Sequence, residues 1–129
     1  MPQLLVESLT RQGLTVSTAE SCTAGQVAAE IGAIPGASQV LKGGHICYSN
    51  EMKTLWTDVD IATLDAHGAV SEQVVMTMAD RVRAQSDCDM SVAISGIMGP
   101  TGQTETKPIG TTWFAISLAE LDKMFMRGK

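Results

Sequence analysis

The sequence predicts an α/β fold, a three-layer sandwich on a mixed, largely parallel sheet. Three observations carry that reading. Short, uncharged, β-branched runs at residues 14–19, 90–95 and 111–118 alternate with helical segments. The first run passes abruptly into the small residues Ser21, Cys22, Thr23, Ala24 and Gly25, as a strand turning into a helix would. Ahead of the second run, Val74, Val75, Met78, Ala79 and Val82 recur at helical spacing, opposite the polar Glu72, Asp80, Arg81 and Arg83.

Taken in order, Leu4, Leu5, Val6 and Leu9 suggest a short amphipathic helix between Pro2 and Gln12, with Gly13 as its stop. A strand over 14–19 follows, then a helix over 23–31 with Val27, Ala28 and Ile31 facing inward, ended by Gly32, Pro35 and Gly36. Residues 40–48 read as a strand in which Gly43 and Gly44 mark a bulge or a close backbone approach. Ser49 and Asn50 offer an N-cap for a helix through Trp56. Residues 61–66 form a helical turn closed by Gly68, and Ser71 and Glu72 open the long helix. The strand at 90–95 and the strand at 111–118 are joined by a loop rich in Gly and Pro, and loops of about a dozen residues are often functional. No linker or internal repeat interrupts the 129 residues, which are expected to form one domain.

Composition narrows the function classes. With 44% hydrophobic and 18% charged residues the chain can build a core without staples, which excludes intrinsic disorder. The longest uncharged stretches contain Gly, Pro, Ser and Thr and are too polar to span a bilayer, and residues 1–7 lack a secretory leader. A net charge of −5 without a basic run disfavours nucleic acid as a partner. Cysteines at 22, 47 and 88 are odd in number, lack a C-x-x-C pair and have only His45 and His67 as companions. A disulfide framework or structural zinc is therefore not expected, and a reduced, cytoplasmic protein is.

Three segments hold chemistry. Ser21 stands where the chain leaves a strand for a helix, so the N–H groups of Cys22 and Thr23, aided by the helix dipole, could hold a developing oxyanion beside it. On the residues alone, Ser21 or Thr23 as a simple N-cap is the plainer reading. Tyr48 precedes Lys53 by five residues at the start of a helix. A desolvated Lys53 would be a base for a serine, with the phenol relaying a proton or holding the lysine; a solvated Lys53 and a packed Tyr48 are the plain alternative. The loop beginning Ser95, Gly96, Ile97, Met98, Gly99, Pro100, Thr101, Gly102 has no Lys after Gly102, so it is not a P-loop. It is either a crossover with special backbone angles or a wall that meets a ligand through its backbone. A Cys22–His45 nucleophilic pair is a further possibility.

Together these segments resemble the CinA carboxy-terminal domain family, the nicotinamide mononucleotide deamidases. The resemblance runs from about residue 14 to 115 through Thr18-Ala19-Glu20-Ser21-Cys22-Thr23-Ala24-Gly25, Pro35-Gly36-Ala37-Ser38, Gly43-Gly44, Tyr48-Ser49-Asn50-Glu51-Met52-Lys53, His67-Gly68-Ala69-Val70-Ser71, Ser95-Gly96-Ile97-Met98-Gly99-Pro100 and Lys107-Pro108-Ile109-Gly110. It implies an amidohydrolase that turns nicotinamide mononucleotide into nicotinate mononucleotide and ammonia, with no metal or cofactor. Carried over by position, the nucleophile is Ser21, the base Lys53 and the assisting tyrosine Tyr48. Substrate contacts then fall on Cys22, Thr23, Gly25, Ser49, Asn50, Gly96, Gly99 and Gly102. Met98 stands where a small Ala is usual and Gln103 where Gly is usual. Family members continue with another strand and a long helix, about 30 residues missing here. A sheet edge or pocket wall is thus expected to be open or supplied by another subunit, in a homodimer or higher homo-oligomer. The alternative function is a catalytically inactive nucleotide-binding or regulatory domain of the same fold.

Overall fold

The protein is described from a computed structural model that covers residues 2–97, 99, 105 and 107–119. Helix α1 (Pro2–Gln12) buries Val6 and Leu9 and ends at Gly13, whose φ of 69° lets the Leu14 N–H donate back to the Leu9 carbonyl at 3.0 Å. Thr15 is then held by Asp89, whose carboxylate accepts from the Thr15 N–H at 2.9 Å and its hydroxyl at 3.2 Å. These bonds take residues 14 and 15 out of the expected strand, and β1 runs Val16–Glu20.

Every residue of β1 is buried, because it lies in the middle of a four-stranded sheet of order β2-β1-β3-β4. β1 pairs in parallel with β2 (Leu41–Ile46) and with β3 (Met90–Gly96), and β4 (Thr112–Leu118) runs antiparallel to β3. The mixed, mostly parallel α/β architecture read from the sequence is the one observed. Helix α1 and helix α2 (Gln26–Gly32) cover one face, where Val6, Leu9, Leu14, Val16, Ile31 and Val40 form a core. On the other face helix α5 (Glu72–Ser86) brings Val74, Val75, Met78, Ala79 and Val82 against Ala19 and Ala93, with Cys47 and Val59 in the same cluster. The stripe predicted for that helix is its buried face, and Ser71 caps it by accepting from the Val74 N–H at 3.4 Å. Helices α3 (Asn50–Thr57) and α4 (Ile61–His67) complete this layer. Among the described residues no helix is long and apolar enough to cross a membrane.

Two glycine-containing segments shape the backbone on either side of β1. The β1–β2 register slips between Val16 and Ser17, which face Leu41 and Gly43 and leave Lys42 as the extra residue. At Gly44 an added Cβ would stand 2.2 Å from the Thr18 carbonyl oxygen, so the close backbone approach read from Gly43-Gly44 is real at Gly44. At the end of β1, Ala24 (φ 50°) and Gly25 (φ 97°) both adopt left-handed angles. Helix α2 therefore starts at Gln26, three residues later than expected, and residues 21–25 form a turn. The late start also narrows its inward face: only Ile31 is fully buried, and Val27 and Ala28 are half-buried.

The connection from β1 to β2 passes over one face of the sheet and the connection from β2 to β3 over the other, as right-handed crossovers in opposite directions require. The chain thus leaves the carboxyl ends of β1 and β3 in opposite directions, and a crevice opens between them. Past β3, Ile97 extends the ladder, its N–H donating to the Thr111 carbonyl at 2.8 Å and its carbonyl accepting from the Gly110 N–H at 2.6 Å. The ends of the long loop are thereby pinned, while Met98, Gly102 and Gln103 lie outside the described residues. β2 and β4 are the two edge strands among the described residues, and Phe114, Ile116 and Leu118 are more than half exposed on β4. The strain at Ala24 can be measured. An alanine in the left-handed region costs about 1–2 kcal/mol, and glycine returns about 0.5–1 kcal/mol of that as unfolded-state freedom. Ala24→Gly is therefore expected to stabilise the fold by about 0.5–1 kcal/mol in urea unfolding, and an unchanged or lower midpoint would contradict the strain.

Candidate active site

The crevice at the ends of β1 and β3 contains a serine and a lysine in contact. The Ser21 N–H continues the parallel ladder by donating to the Ile94 carbonyl at 2.9 Å, which directs the serine into the crevice. Across from it, Ser49 caps α3 by accepting from the Met52 N–H at 3.1 Å, and Lys53 lies one turn into that helix. Lys53 Nζ donates to Ser21 Oγ at 3.0 Å and to the Tyr48 carbonyl at 3.2 Å, and Ser21 Oγ lies 3.5 Å from the same carbonyl. The lysine is 1% exposed and Ser21 6%. Burial pushes the Lys53 amine below the usual lysine range, with the thiols of Cys47 and Cys22 acting weakly the other way. A buried amine without a carboxylate partner favours its neutral form, and a neutral amine can accept the serine proton.

A cavity of about 300 Å³ opens on this pair. Of the residues named from sequence, Ser21, Cys22, Tyr48, Asn50, Lys53, Gly96 and Gly99 line it. Thr23, Gly25 and Ser49 have other tasks. The Thr23 hydroxyl donates to Glu20 at 2.7 Å, Gly25 supplies the left-handed angle before α2, and Ser49 is the α3 cap. Gly102 lies outside the described residues. Tyr48 also enters differently from expectation: its main-chain carbonyl meets Lys53, while the residue is 67% exposed. The helix dipole invoked for an oxyanion is not free either, because the first N–H groups of α2, those of Val27 and Ala28, donate to the Glu20 carboxylate at 2.9 and 3.0 Å. Cys22 lies at the mouth of the crevice, and its own N–H and that of Thr23 act on its thiol against the burial that raises its pKa.

Four cavity residues were not among the site residues named from sequence: Ser95 and Ile97, which belong to the loop segment read as a ligand wall, and Ala69 and Val70, which entered only through the family resemblance. The signal for Ser95 was available, since it ends the strand that a parallel sheet must place beside β1; Ala69 and Val70 reach the site only through the packing of the α4–α5 connection. The Cys22–His45 pair does not form around a nucleophile. His45 Nε2 is 2.9 Å from Gln85 Oε1 and its ring stacks on Trp56 with centroids 5.6 Å apart. Burial also pushes the Cys22 thiol up, away from the reactive thiolate. A larger cavity, about 460 Å³, lies between α3 and α4 among Leu55, Ile61 and Leu64. It is apolar and touches the serine–lysine cavity only at Asn50, so size and chemistry point to different places, and the chemistry is decisive.

The buried amine has a consequence for stability. Below its lowered folded pKa, Lys53 is charged in both states and the fold carries the full cost of burying it. Between that value and 10.5, the unfolded chain binds a proton that the folded chain does not, so stability rises with pH. Lys53→Met is therefore expected to raise Tm at neutral pH, by an increment that shrinks as pH approaches 10.5. Tm measured against pH for both proteins checks this, and parallel curves would contradict it.

Comparisons with known proteins place the whole chain. The profile of the CinA C-terminal domain matches residues 1–127. A CinA-like protein of Colwellia psychrerythraea is 45% identical over 111 residues, which is 86% of this chain and 26% of that protein. Another, from Thermosipho melanesiensis, is 45% identical over 122 residues, 91% of this chain and 30% of its own length. The chain thus spans less than a third of these curated relatives. Among solved structures, the competence/damage inducible protein CihA of Agrobacterium tumefaciens superposes with a TM-score of 0.88 at 37% identity, covering 91% of this chain and 71% of that one. A CinA superfamily protein of Escherichia coli gives 0.87 at 32% identity, with 91% and 68% covered. With a family profile over nearly its whole length and relatives of this similarity, the chain belongs to the CinA C-terminal domain family.

Proposed function

We propose that the chain is an amidohydrolase that deamidates nicotinamide mononucleotide to nicotinate mononucleotide and ammonia by a serine–lysine mechanism. One observation carries the reading: a fully buried lysine amine, depressed in pKa by that burial, sits 3.0 Å from a serine hydroxyl at the mouth of a cavity. Serine is a weak nucleophile and needs an adjacent base, and a neutral amine in a dry site is one. In the first step Lys53 takes the Ser21 proton as Oγ bonds to the carboxamide carbon, and negative charge develops on the carbonyl oxygen. The N–H groups of Cys22 and Thr23, which follow Ser21 in the turn, are the donors this reading assigns to that oxygen. Lys53 then returns its proton to the amide nitrogen, the C–N bond breaks and ammonia leaves. Water, deprotonated by the same amine, attacks the ester carbonyl, and Lys53 returns that proton to Ser21 Oγ as the acyl–oxygen bond breaks and nicotinate mononucleotide leaves. The Tyr48 carbonyl directs the amine throughout.

The substrate assignment is supported by the family resemblance.

Ammonia release from nicotinamide mononucleotide by the purified chain tests the proposal. Ser21→Ala and Lys53→Ala are each expected to lower kcat by about 10³-fold or more, and the double variant no further, because the two act as a unit. Tyr48→Phe, which leaves the carbonyl in place, is expected to keep kcat within about threefold. The wild-type rate should rise with pH as Lys53 loses its proton. Folded protein that binds the nucleotide without releasing ammonia would assign the chain to a nucleotide-binding or regulatory domain instead.

A further inference from the structure

We propose that Glu20 is the positioning residue of the serine–lysine site, its carboxylate clamping the turn that presents Ser21 and the N–H groups of Cys22 and Thr23. The inference rests on the proposed function for its link to turnover, but the arrangement stands on its own geometry. Glu20 is 1% exposed, and a carboxylate is costly to bury unless donors satisfy it. Four do: the Thr23 hydroxyl at 2.7 Å, the Val27 and Ala28 N–H groups at 2.9 and 3.0 Å, and the Thr18 hydroxyl at 3.3 Å.

Those donors come from both sides of the turn. Thr18 belongs to β1, Thr23 to the turn itself, and Val27 and Ala28 to the first turn of α2. An ordinary N-cap would have satisfied α2 from Gly25, which makes no side-chain cap bond. The acceptor instead comes from the end of the central strand, which couples the helix to the sheet across residues 21–25. Inside that turn the backbone is held by Ala24 N–H to Ser21 carbonyl at 3.0 Å and Gln26 N–H to Thr23 carbonyl at 2.9 Å, around two left-handed residues. The Thr23–Glu20 bond is what ties this turn back to the strand before Ser21. The main chain of Glu20 acts on the other half of the site: its carbonyl accepts from the Cys47 N–H at 2.7 Å, one residue before Tyr48, whose carbonyl directs Lys53. The turn that carries Ser21 and the strand end that leads to the Tyr48 carbonyl are thus both tied to this one residue, which itself does not line the cavity.

The test compares wild type with Glu20→Gln and Thr23→Val in two assays. One is steady-state ammonia release from nicotinamide mononucleotide; the other is the rate at which phenylmethylsulfonyl fluoride labels Ser21, read by mass spectrometry. In Glu20→Gln an amide NH₂ faces backbone N–H donors where an oxygen accepted. With circular dichroism and Tm confirming a folded protein, it is expected to lower kcat and the labelling rate by about 10²-fold while KM stays within about twofold. Thr23→Val, which removes only the 2.7 Å bond, is expected to lower both rates by about tenfold. Labelling and kcat at wild-type values in folded Glu20→Gln would overturn the inference. Were that variant unfolded, a wild-type labelling rate in Thr23→Val would overturn it instead. Wild-type Ser21 labelling no faster than in Glu20→Gln would likewise overturn it. Slowed labelling in the variants, with no ammonia from any protein, would sustain Glu20 and remove the amidase reading.

Discussion

The site depends on one unfavourable placement, the burial of the Lys53 amine without a carboxylate beside it. Taking an ammonium out of water costs several kcal/mol unless a counter-charge is near, and among the described residues the partners of Nζ are a hydroxyl and a carbonyl, with the thiols of Cys47 and Cys22 in the vicinity. Burial lowers the pKa of the amine in response. The same constraint that weakens the fold is the one on which the proposed base depends, and the rest of the structure has to support it. The α5 face of the sheet does so, with a dense apolar cluster that reaches Cys47 and Val59 on either side of α3.

Two further features keep the lysine and the serine together. The parallel pairing of β1 with β2 and β3 sends the chain out of the sheet in opposite directions, so Ser21 stands at an opening that no helix fills. The bonds of Glu20 then determine how the chain leaves β1, and the Ser49 cap determines where α3 begins. Small residues are required at this junction for different reasons. Gly44 lets β2 approach the Thr18 carbonyl, whereas Gly25 supplies a backbone angle.

Much of this was legible in the chain. The stripe from Val74 to Val82 announced α5, Ser49 and Ser71 announced two caps, and Gly43-Gly44 announced the close approach of β2. Each is a local signal, read from spacing or from a side chain bonded to its own turn. Expectations failed where a distant partner intervened. Asp89 shortened β1 from a position 74 residues away, and Glu20 accepted the Val27 and Ala28 N–H groups at the start of α2, whose dipole had been expected to reinforce an oxyanion site at Cys22 and Thr23. Tyr48 could not be placed from its spacing, because the same position offers the lysine either a phenol or a carbonyl.

By itself the sequence determined the kind of fold and the types of residue available for chemistry. Hydrophobic periodicity sets which face of each helix and strand must be buried, and a serine, a lysine and a glycine-rich loop are visible wherever they fall. Only the tertiary structure decided that Ser21 and Lys53, 32 residues apart, meet at 3.0 Å, and that the lysine is stripped of water there. Both facts arise from sheet order and helix packing. Contact and desolvation are properties of the assembled layers, and no local spacing along the chain encodes either of them.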